Sequence, residues 1–225
     1  MGSMIQFPAN GRSTPGYLAL PPSGTGPGLV LIQEWWGLVD HIKRVADRFA
    51  TAGFVVLAPD LYHGKETKSP DEAGKKLMAL NIAEAGKDLR GAADHLLSLG
   101  AVRPGKVAVL GFCMGGQLAL FAAQEYPDRI AAAVDFYGIH PNVKIDAARL
   151  VRPVLGHFGK QDQSVKEADV RGLADRVTAA GGSFEAHFYE AGHAFFNDSR
   201  PEVYAKGESD LAWSRTLVFL RQRLK

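Results

Sequence analysis

The chemistry this chain could perform begins with its one cysteine. Cys113 lies in Gly111-Phe112-Cys113-Met114-Gly115-Gly116, between the apolar run Val107 to Leu110 and a helix-favouring stretch from Gln117 to Glu125. A buried strand that turns into a helix through Gly-x-nucleophile-x-Gly forms a nucleophile elbow, here with a thiol in place of the commoner serine hydroxyl. The flanking glycines leave room where strand and helix pack closely around a tight turn. The sulfur would stand above the sheet at a helix N-terminus, where partial positive charge favours thiolate over thiol. A thiol nucleophile needs a base to take its proton, and the base needs a partner to fix its tautomer. His193, in Gly192-His193, and Asp162, after Gly159-Lys160-Gln161, each follow a later apolar run and can supply those two groups. An isolated Gly-x-Cys-x-Gly reads equally well as a buried structural cysteine. Nucleophile, acid and histidine, in that order and each just past a strand, point to acyl transfer.

Other residues of the same types compete for these roles. Of the seven histidines, His157 and His187 fall inside strand-like runs and read as structural, while His41 and His95 fall on helical stretches and read as surface groups. His63 and His140 sit in strand-end loops but lack the Gly-His setting after the last strand. Asp135 also ends an apolar run, yet Asp162 leaves its strand through a glycine turn from which a loop can reach His193. The competing reading of Asp162 is an N-cap for the next helix, with Ser164 as the rival cap. The sequence contains no Gly-x-Ser-x-Gly, no His-Glu-x-x-His and no cysteine pair, so serine catalysis and a motif-built metal site both lack a signal. Gly24-x-Gly26-x-Gly28 precedes a strand instead of following one, which is the wrong order for phosphate binding.

Acyl transfer also needs donors for the developing oxyanion. The elbow offers the backbone N–H of Met114, and the loop after the Leu29–Gln33 run offers that of Trp35. Glu34 is a carboxylate in an apolar loop, costly without a partner. It reads either as salt-bridged to a nearby Arg or Lys or as a group acting on Cys113. Trp35, Trp36, Tyr137, Phe195 and Phe196 could wall a small apolar pocket, although each singly is also ordinary packing.

The elements that must position these groups are legible as an alternation of apolar runs and amphipathic stretches. Ile5–Phe7 and Tyr17–Leu20 flank Asn10-Gly11 and predict an N-terminal hairpin. Strands are predicted over 29–33, 54–58, 107–110, 130–136, 154–158 and 184–189. Helices are predicted from Asp40, as cap, to Gly53; from the capping box Ser69-Pro70-Asp71-Glu72 to about Leu80; and over 82–99, 117–125, 165–180 and 211–224. Strands apolar on both faces, alternating with helices, predict an α/β fold with a mostly parallel sheet covered on both sides. Ligand chemistry in such sheets lies at the carboxyl ends of the strands, where Glu34, Cys113, Asp162 and His193 all fall.

With 225 residues and 46% apolar content, the chain can bury one sizeable core, and a single domain over 4–225 is expected. Met1-Gly2-Ser3 ahead of Met4 reads as a cloning remnant. A formal net charge of +2, spread along the chain, gives no reason to invoke nucleic acid or an acidic membrane. No apolar run approaches the ~18 residues of a membrane span, and no signal peptide is visible. One cysteine rules out an intrachain disulfide and fits a reducing compartment, so a cytoplasmic location is expected.

Three motifs now carry a resemblance: Gln33-Glu34-Trp35-Trp36-Gly37, Gly111-Phe112-Cys113-Met114-Gly115-Gly116 and Gly192-His193-Ala194-Phe195, supported by Pro59-Asp60-Leu61-Tyr62 and Asp135-Phe136-Tyr137-Gly138. The sequence resembles the dienelactone hydrolase (carboxymethylenebutenolidase) family of α/β-hydrolases over nearly its whole length. The resemblance implies a cofactor-free hydrolase of lactones and related esters, with Cys113 as nucleophile, His193 as base and then acid, and Asp162 as the orienting carboxylate. It further implies that the resting thiol stays protonated and that Glu34 helps to deprotonate it once substrate binds, an arrangement that would protect the thiol from oxidation. One departure is visible. The family holds a substrate carboxylate with arginines before the paired helices and just after the catalytic histidine, where this chain has Lys65, Lys68 and Asp71, and Phe196-Asn197-Asp198. Lysine replaces a planar guanidinium fork poorly. Arg200 is the one arginine near the second region.

The expectation is therefore a monomeric cysteine hydrolase of small esters or lactones acting through a thioester acyl-enzyme, with no metal or cofactor and a small molecule as its only partner. The alternative is a non-catalytic ligand receptor on the same fold, with Cys113 as a redox sensor.

Overall fold

The structure is a computed structural model that describes residues 1–103 and 105–225. Eight strands form one sheet in the order β1-β2-β4-β3-β5-β6-β7-β8: β1 (Ser3–Ala9), β2 (Arg12–Ala19), β3 (Gly28–Ile32), β4 (Val55–Pro59), β5 (Val107–Phe112), β6 (Ile130–Phe136), β7 (Val154–Gly159) and β8 (Phe184–Tyr189). The hairpin β1–β2 is antiparallel and joins β4 antiparallel; every pairing from β4 through β3 to β8 is parallel. This is the mostly parallel α/β-hydrolase sheet. Every residue of β3, β4 and β5 is buried, which is why these strands are apolar throughout instead of alternating.

Helices α1 (Asp40–Thr51) and α6 (Lys206–Arg223) cover one face through Ile42, Phe49, Ala212 and Phe219. Helices α3 (Ile82–Ser98), α4 (Met114–Glu125) and α5 (Glu167–Ala179) cover the other through Leu89, Leu118 and Val170. Helix α2 (Pro70–Ala79) is different, with Ala73 its one buried residue. Among the described residues, no helix is long and apolar enough to cross a membrane.

Several boundaries differ from the sequence reading for local reasons. Asp40 is the first helical residue of α1 and not its cap; Val39 holds the cap position without a side-chain bond. Ser69 Oγ accepts from the Glu72 N–H at 3.5 Å, as the capping box requires, but the Glu72 carboxylate turns to the Thr67 hydroxyl at 2.6 Å instead of closing the box. Helix α6 begins five residues before Leu211, at Lys206. Its first turn lacks an apolar rhythm and is held by the Ser209 hydroxyl, which donates to the carbonyls of Phe195 and Ala205 at 2.8 and 2.7 Å. Ser3, set aside with Met1 and Gly2 as a remnant, opens β1 opposite Leu18.

Candidate active site

The elbow is built from close contact between strand and helix. Strand β5 ends at Phe112, α4 begins at Met114, and Cys113 between them has φ 53° and ψ −120°. Its N–H donates to the Phe136 carbonyl at 2.9 Å, and its own carbonyl accepts from Gly116 at 2.9 Å and Ile139 at 3.2 Å. A Cβ at Gly115 would run into the carbonyl oxygens of Ile32 and Gln33, and one at Gly111 into the backbone of Gly115. The two glycines are thus required by packing, as the motif implied. Cys113 is 8% exposed. No protein acceptor among the described residues takes the N–H of Met114 or of Trp35.

Beyond β7 and β8, two loops bring Asp162 and His193 together. His193 Nδ1 lies 2.7 Å from Asp162 Oδ2, while Asp162 Oδ1 accepts the N–H groups of Ser164 and Val165 at 2.7 and 3.0 Å. Asp162 therefore shapes the turn ahead of α5, whose cap is Lys166, and keeps its second oxygen for the imidazole. Burial works against the Asp162 charge, but the His193 contact and the two N–H groups prevail and hold the carboxyl below its ordinary range. For His193 burial also opposes the charged form, yet its hydrogen bond to Asp162 and the pull of the Cys113 sulfur as a thiolate outweigh it and push the imidazole up to about 10. With Nδ1 on the carboxylate, Nε2 is left for the thiol.

Glu34 is 1% exposed at the end of β3. The salt-bridge reading does not hold, since no Arg or Lys among the described residues lies within ion-pair distance of it. Asn197 Nδ2 donates to Oε2 at 2.8 Å, and the Tyr137 hydroxyl donates to Oε1 at 3.4 Å. The sequence reading missed Asn197; its only signal was a polar residue directly after the Phe195-Phe196 pair.

These groups meet in a cavity of about 270 Å³ that Glu34, Trp35, Trp36, Cys113 and His193 line, closed by Leu77, Ile139, Pro141, Ser164, Ala194 and Arg200. The two tryptophans line it as expected. Tyr137, Phe195 and Phe196 do not, which corrects the expected wall: they are 0%, 0% and 3% exposed and belong to the core beneath. Phe196 stacks on Phe112 at 5.3 Å, Phe195 packs on Tyr137 at 5.5 Å and Tyr189 at 5.2 Å, and Tyr137 reaches the cavity only through its bond to Glu34. The chain after His193 turns inward, so its aromatic residues anchor the loop. Arg200, by contrast, lines the cavity, its guanidinium 5.6 Å from the centre of the Trp36 ring and its Nε donating to Glu202 at 2.8 Å.

Of the rival groups, His157 is structural as expected, buried between the Tyr189 and Thr216 hydroxyls at 2.8 and 3.0 Å. His41 is not a surface group. It is 3% exposed, because the first turn of α1 packs under the loop that carries Asp198, whose carboxylate it meets at 3.1 Å. Asp135 sits 2% exposed behind the elbow, paired with Gly111 across β5 and β6, and makes no bond to His193. Burial pushes it up to about 7, against the opposing pull of the Gly138 N–H and the His193 charge. No group of three or more His, Cys, Asp or Glu among the described residues is arranged to hold a metal ion.

The site can be compared with known proteins on this basis. The profile of the dienelactone hydrolase family matches residues 14–224. A protein of Aquifex pyrophilus called protein usf is 37% identical over the full length of both chains. An Aquifex aeolicus protein provisionally named a carboxymethylenebutenolidase is 31% identical, also over the full length of both. The crystal structure of a Klebsiella pneumoniae protein provisionally named a dienelactone hydrolase superposes with a TM-score of 0.89 at 26% identity, covering 99% of this chain and 98% of that one. The chain belongs to the dienelactone hydrolase family and is an ester and lactone hydrolase.

Proposed function

We propose that this dienelactone hydrolase family member opens small esters and lactones by attack of the Cys113 sulfur, through a thioester acyl-enzyme. The observation that carries the reading is the placing of the three groups: His193 Nδ1 lies 2.7 Å from Asp162 Oδ2, and His193 and Cys113 line one cavity. His193 takes the thiol proton as the sulfur adds to the acyl carbon, and Asp162 holds the imidazole in the tautomer that allows it. The oxyanion forms at the N-terminus of α4, where the free N–H of Met114 and that of Trp35 are its donors. Collapse of the adduct expels the alcohol or lactone oxygen, which takes the proton back from His193. A water molecule, deprotonated by His193, then hydrolyses the thioester and frees the carboxylate and the thiol.

Glu34 shares the cavity with Cys113, its two donors are neutral, and among the described residues no Lys or Arg lies within ion-pair distance of it. A displaced or incoming carbonyl that disturbs the Asn197 bond would free the carboxylate to draw the thiol proton. Arg200 supplies a guanidinium whose terminal nitrogens make no bond among the described residues, so a substrate carboxylate has a partner despite the missing family arginines. A cavity of about 270 Å³ suits a small acyl group or a five-membered lactone.

Hydrolysis of p-nitrophenyl acetate by wild type and by Cys113→Ala tests the proposal. Turnover by wild type, a burst of nitrophenol and a thioester adduct on the peptide carrying Cys113 are expected, with all three lost in the variant. Equal rates for the two proteins would overturn the nucleophile assignment.

A further inference from the structure

We propose, on the reading that His193 works with Asp162, that Tyr189 positions this pair from outside the cavity, its hydroxyl locked in a buried chain that ties β8 through His157 to α6.

The chain has one direction that satisfies every member. Arg215 Nη1 donates to the Tyr189 hydroxyl oxygen at 3.1 Å, and that hydroxyl lies 2.8 Å from His157 Nδ1. His157 Nε2 lies 3.0 Å from the Thr216 hydroxyl, which in turn donates to the Ala212 carbonyl at 2.8 Å. His157 and Thr216 are 0% exposed and Tyr189 is 4% exposed, so these groups must find their partners within the protein. With the Thr216 proton on Ala212, Nε2 carries the imidazole proton and donates it to the Thr216 oxygen, and Nδ1 accepts from Tyr189. The opposite tautomer would leave the Tyr189 proton without an acceptor among the described residues. Burial holds His157 well below its ordinary range, in the neutral form this direction needs.

What the hydroxyl fixes, the backbone of the same residue passes on. Tyr189 ends β8, and its carbonyl accepts the N–H groups of Lys160 and of Ala191, each at 2.8 Å. Lys160 stands two residues before Asp162 and Ala191 two before His193, so one oxygen anchors both catalytic loops. The loops also touch each other. The Gln161 N–H donates to the Ala191 carbonyl at 3.0 Å, and a Cβ at Gly159 would run into the carbonyls of Ala191 and Gly192. Beyond the imidazole, Phe195 packs on the Tyr189 ring at 5.2 Å, so one residue grips the His193 loop on both sides. His157 repeats the pattern: its carbonyl accepts the Tyr137 N–H at 2.8 Å, and the Tyr137 ring meets the His193 ring at 5.1 Å. A phenylalanine at 189 would fill the same space, so packing alone does not call for the hydroxyl.

Tyr189→Phe tests this, read by NMR titration of the His193 imidazole and by steady-state hydrolysis of p-nitrophenyl acetate. Asp162 raises the His193 midpoint, so a slackened pair lowers it. A fall of at least about 1 pH unit is expected, with kcat down by about 100-fold, the cost of an ångström of misplacement, and KM near wild type. Thr216→Val, at the far end of the chain, should lower the midpoint in the same direction, and Thr216→Ser should keep the wild-type value. Leu220→Ala, a buried truncation elsewhere on α6, should lower the melting temperature and leave the midpoint alone. An unmoved midpoint in Tyr189→Phe, or in Thr216→Val should the first variant not fold, would overturn the proposal, as would an equal fall in Leu220→Ala. The titration needs no turnover. A midpoint that moves as expected in a protein inert toward esters would sink the thioester mechanism and leave the role of Tyr189 standing.

Discussion

The floor and the roof of the Cys113 cavity are made in opposite ways. The floor is the elbow with the strands around it, where the carbonyl of Cys113 is bonded to Gly116 and Ile139, Gly115 touches the β3 backbone, and Tyr137 and Phe196 fill the core below. The roof is α2, fastened by Ala73, by the Thr67–Glu72 bond and by one imidazole bond to the Leu77 carbonyl. Groups that must be held to a fraction of an ångström for bond making sit on the first, and groups that only meet the outer part of a substrate sit on the second. The contrast predicts that substitutions in the floor destroy rate, whereas substitutions in the roof change which substrates are taken.

The harshest test of that division is His193→Ala, expected to lower kcat/KM for p-nitrophenyl acetate by about 10³- to 10⁴-fold while the melting temperature stays close to wild type. A variant that keeps most of its rate would break the division outright. Gly115→Ala probes the packing of the same floor. With the new methyl against the Ile32 and Gln33 carbonyls, destabilisation of at least about 1–3 kcal/mol is expected by denaturant titration. A neutral result would mean that strand and helix can part without harm.

Asp135→Asn sharpens the comparison through pH. Asp135 is lifted from an ordinary 3.8 to about 7, so between those values the folded protein binds more protons than the unfolded one and stability falls as pH rises. The destabilisation is absent below about pH 4 and complete above about pH 7, where linkage sets it on the order of 4 kcal/mol. The amide variant should therefore melt higher than wild type at pH 8 and alike at pH 4; parallel pH profiles would show that Asp135 ionises normally. Glu34→Gln is milder. It keeps the shape of the side chain, and acylation measured by the nitrophenol burst should slow by about 100-fold, the low end for a positioned proton acceptor, with folding intact. Leu77→Ala, in the roof, should raise KM for butyrate esters a few-fold and leave kcat for acetate near wild type. A collapse of kcat there would show that the roof also sets the chemistry.

How much of this was legible in the sequence follows the same line. The strands of the floor were readable because residues buried on both faces must be apolar throughout, and the chemistry-bearing groups were readable because each follows such a run. Cys113, Asp162 and His193 were found that way and do converge. What lies across loops was harder. Nothing local in Ala194-Phe195-Phe196-Asn197 says that the phenylalanines turn down into the core while Asn197 turns up to Glu34, since that depends on where the Phe112 and Tyr189 rings leave space. His41 was misjudged because helical spacing locates a residue on α1 but is silent about the Asp198 loop that covers it. Arg200 reaches the cavity through a stacking contact with Trp36, a long-range pairing that no sequence window contains.

The backbone of Cys113, at φ 53° and ψ −120°, has a consequence for how such a protein would evolve. A residue with a side chain gives up about 1–3 kcal/mol to hold a shape of this kind, whereas glycine adopts it freely. The residue proposed as the nucleophile thus occupies the place where heat resistance alone would favour its removal. Cys113→Gly should be inert and yet melt no lower than wild type. A laboratory lineage selected only for survival of heating would drift toward losing its thiol, and only a demand for turnover keeps it there.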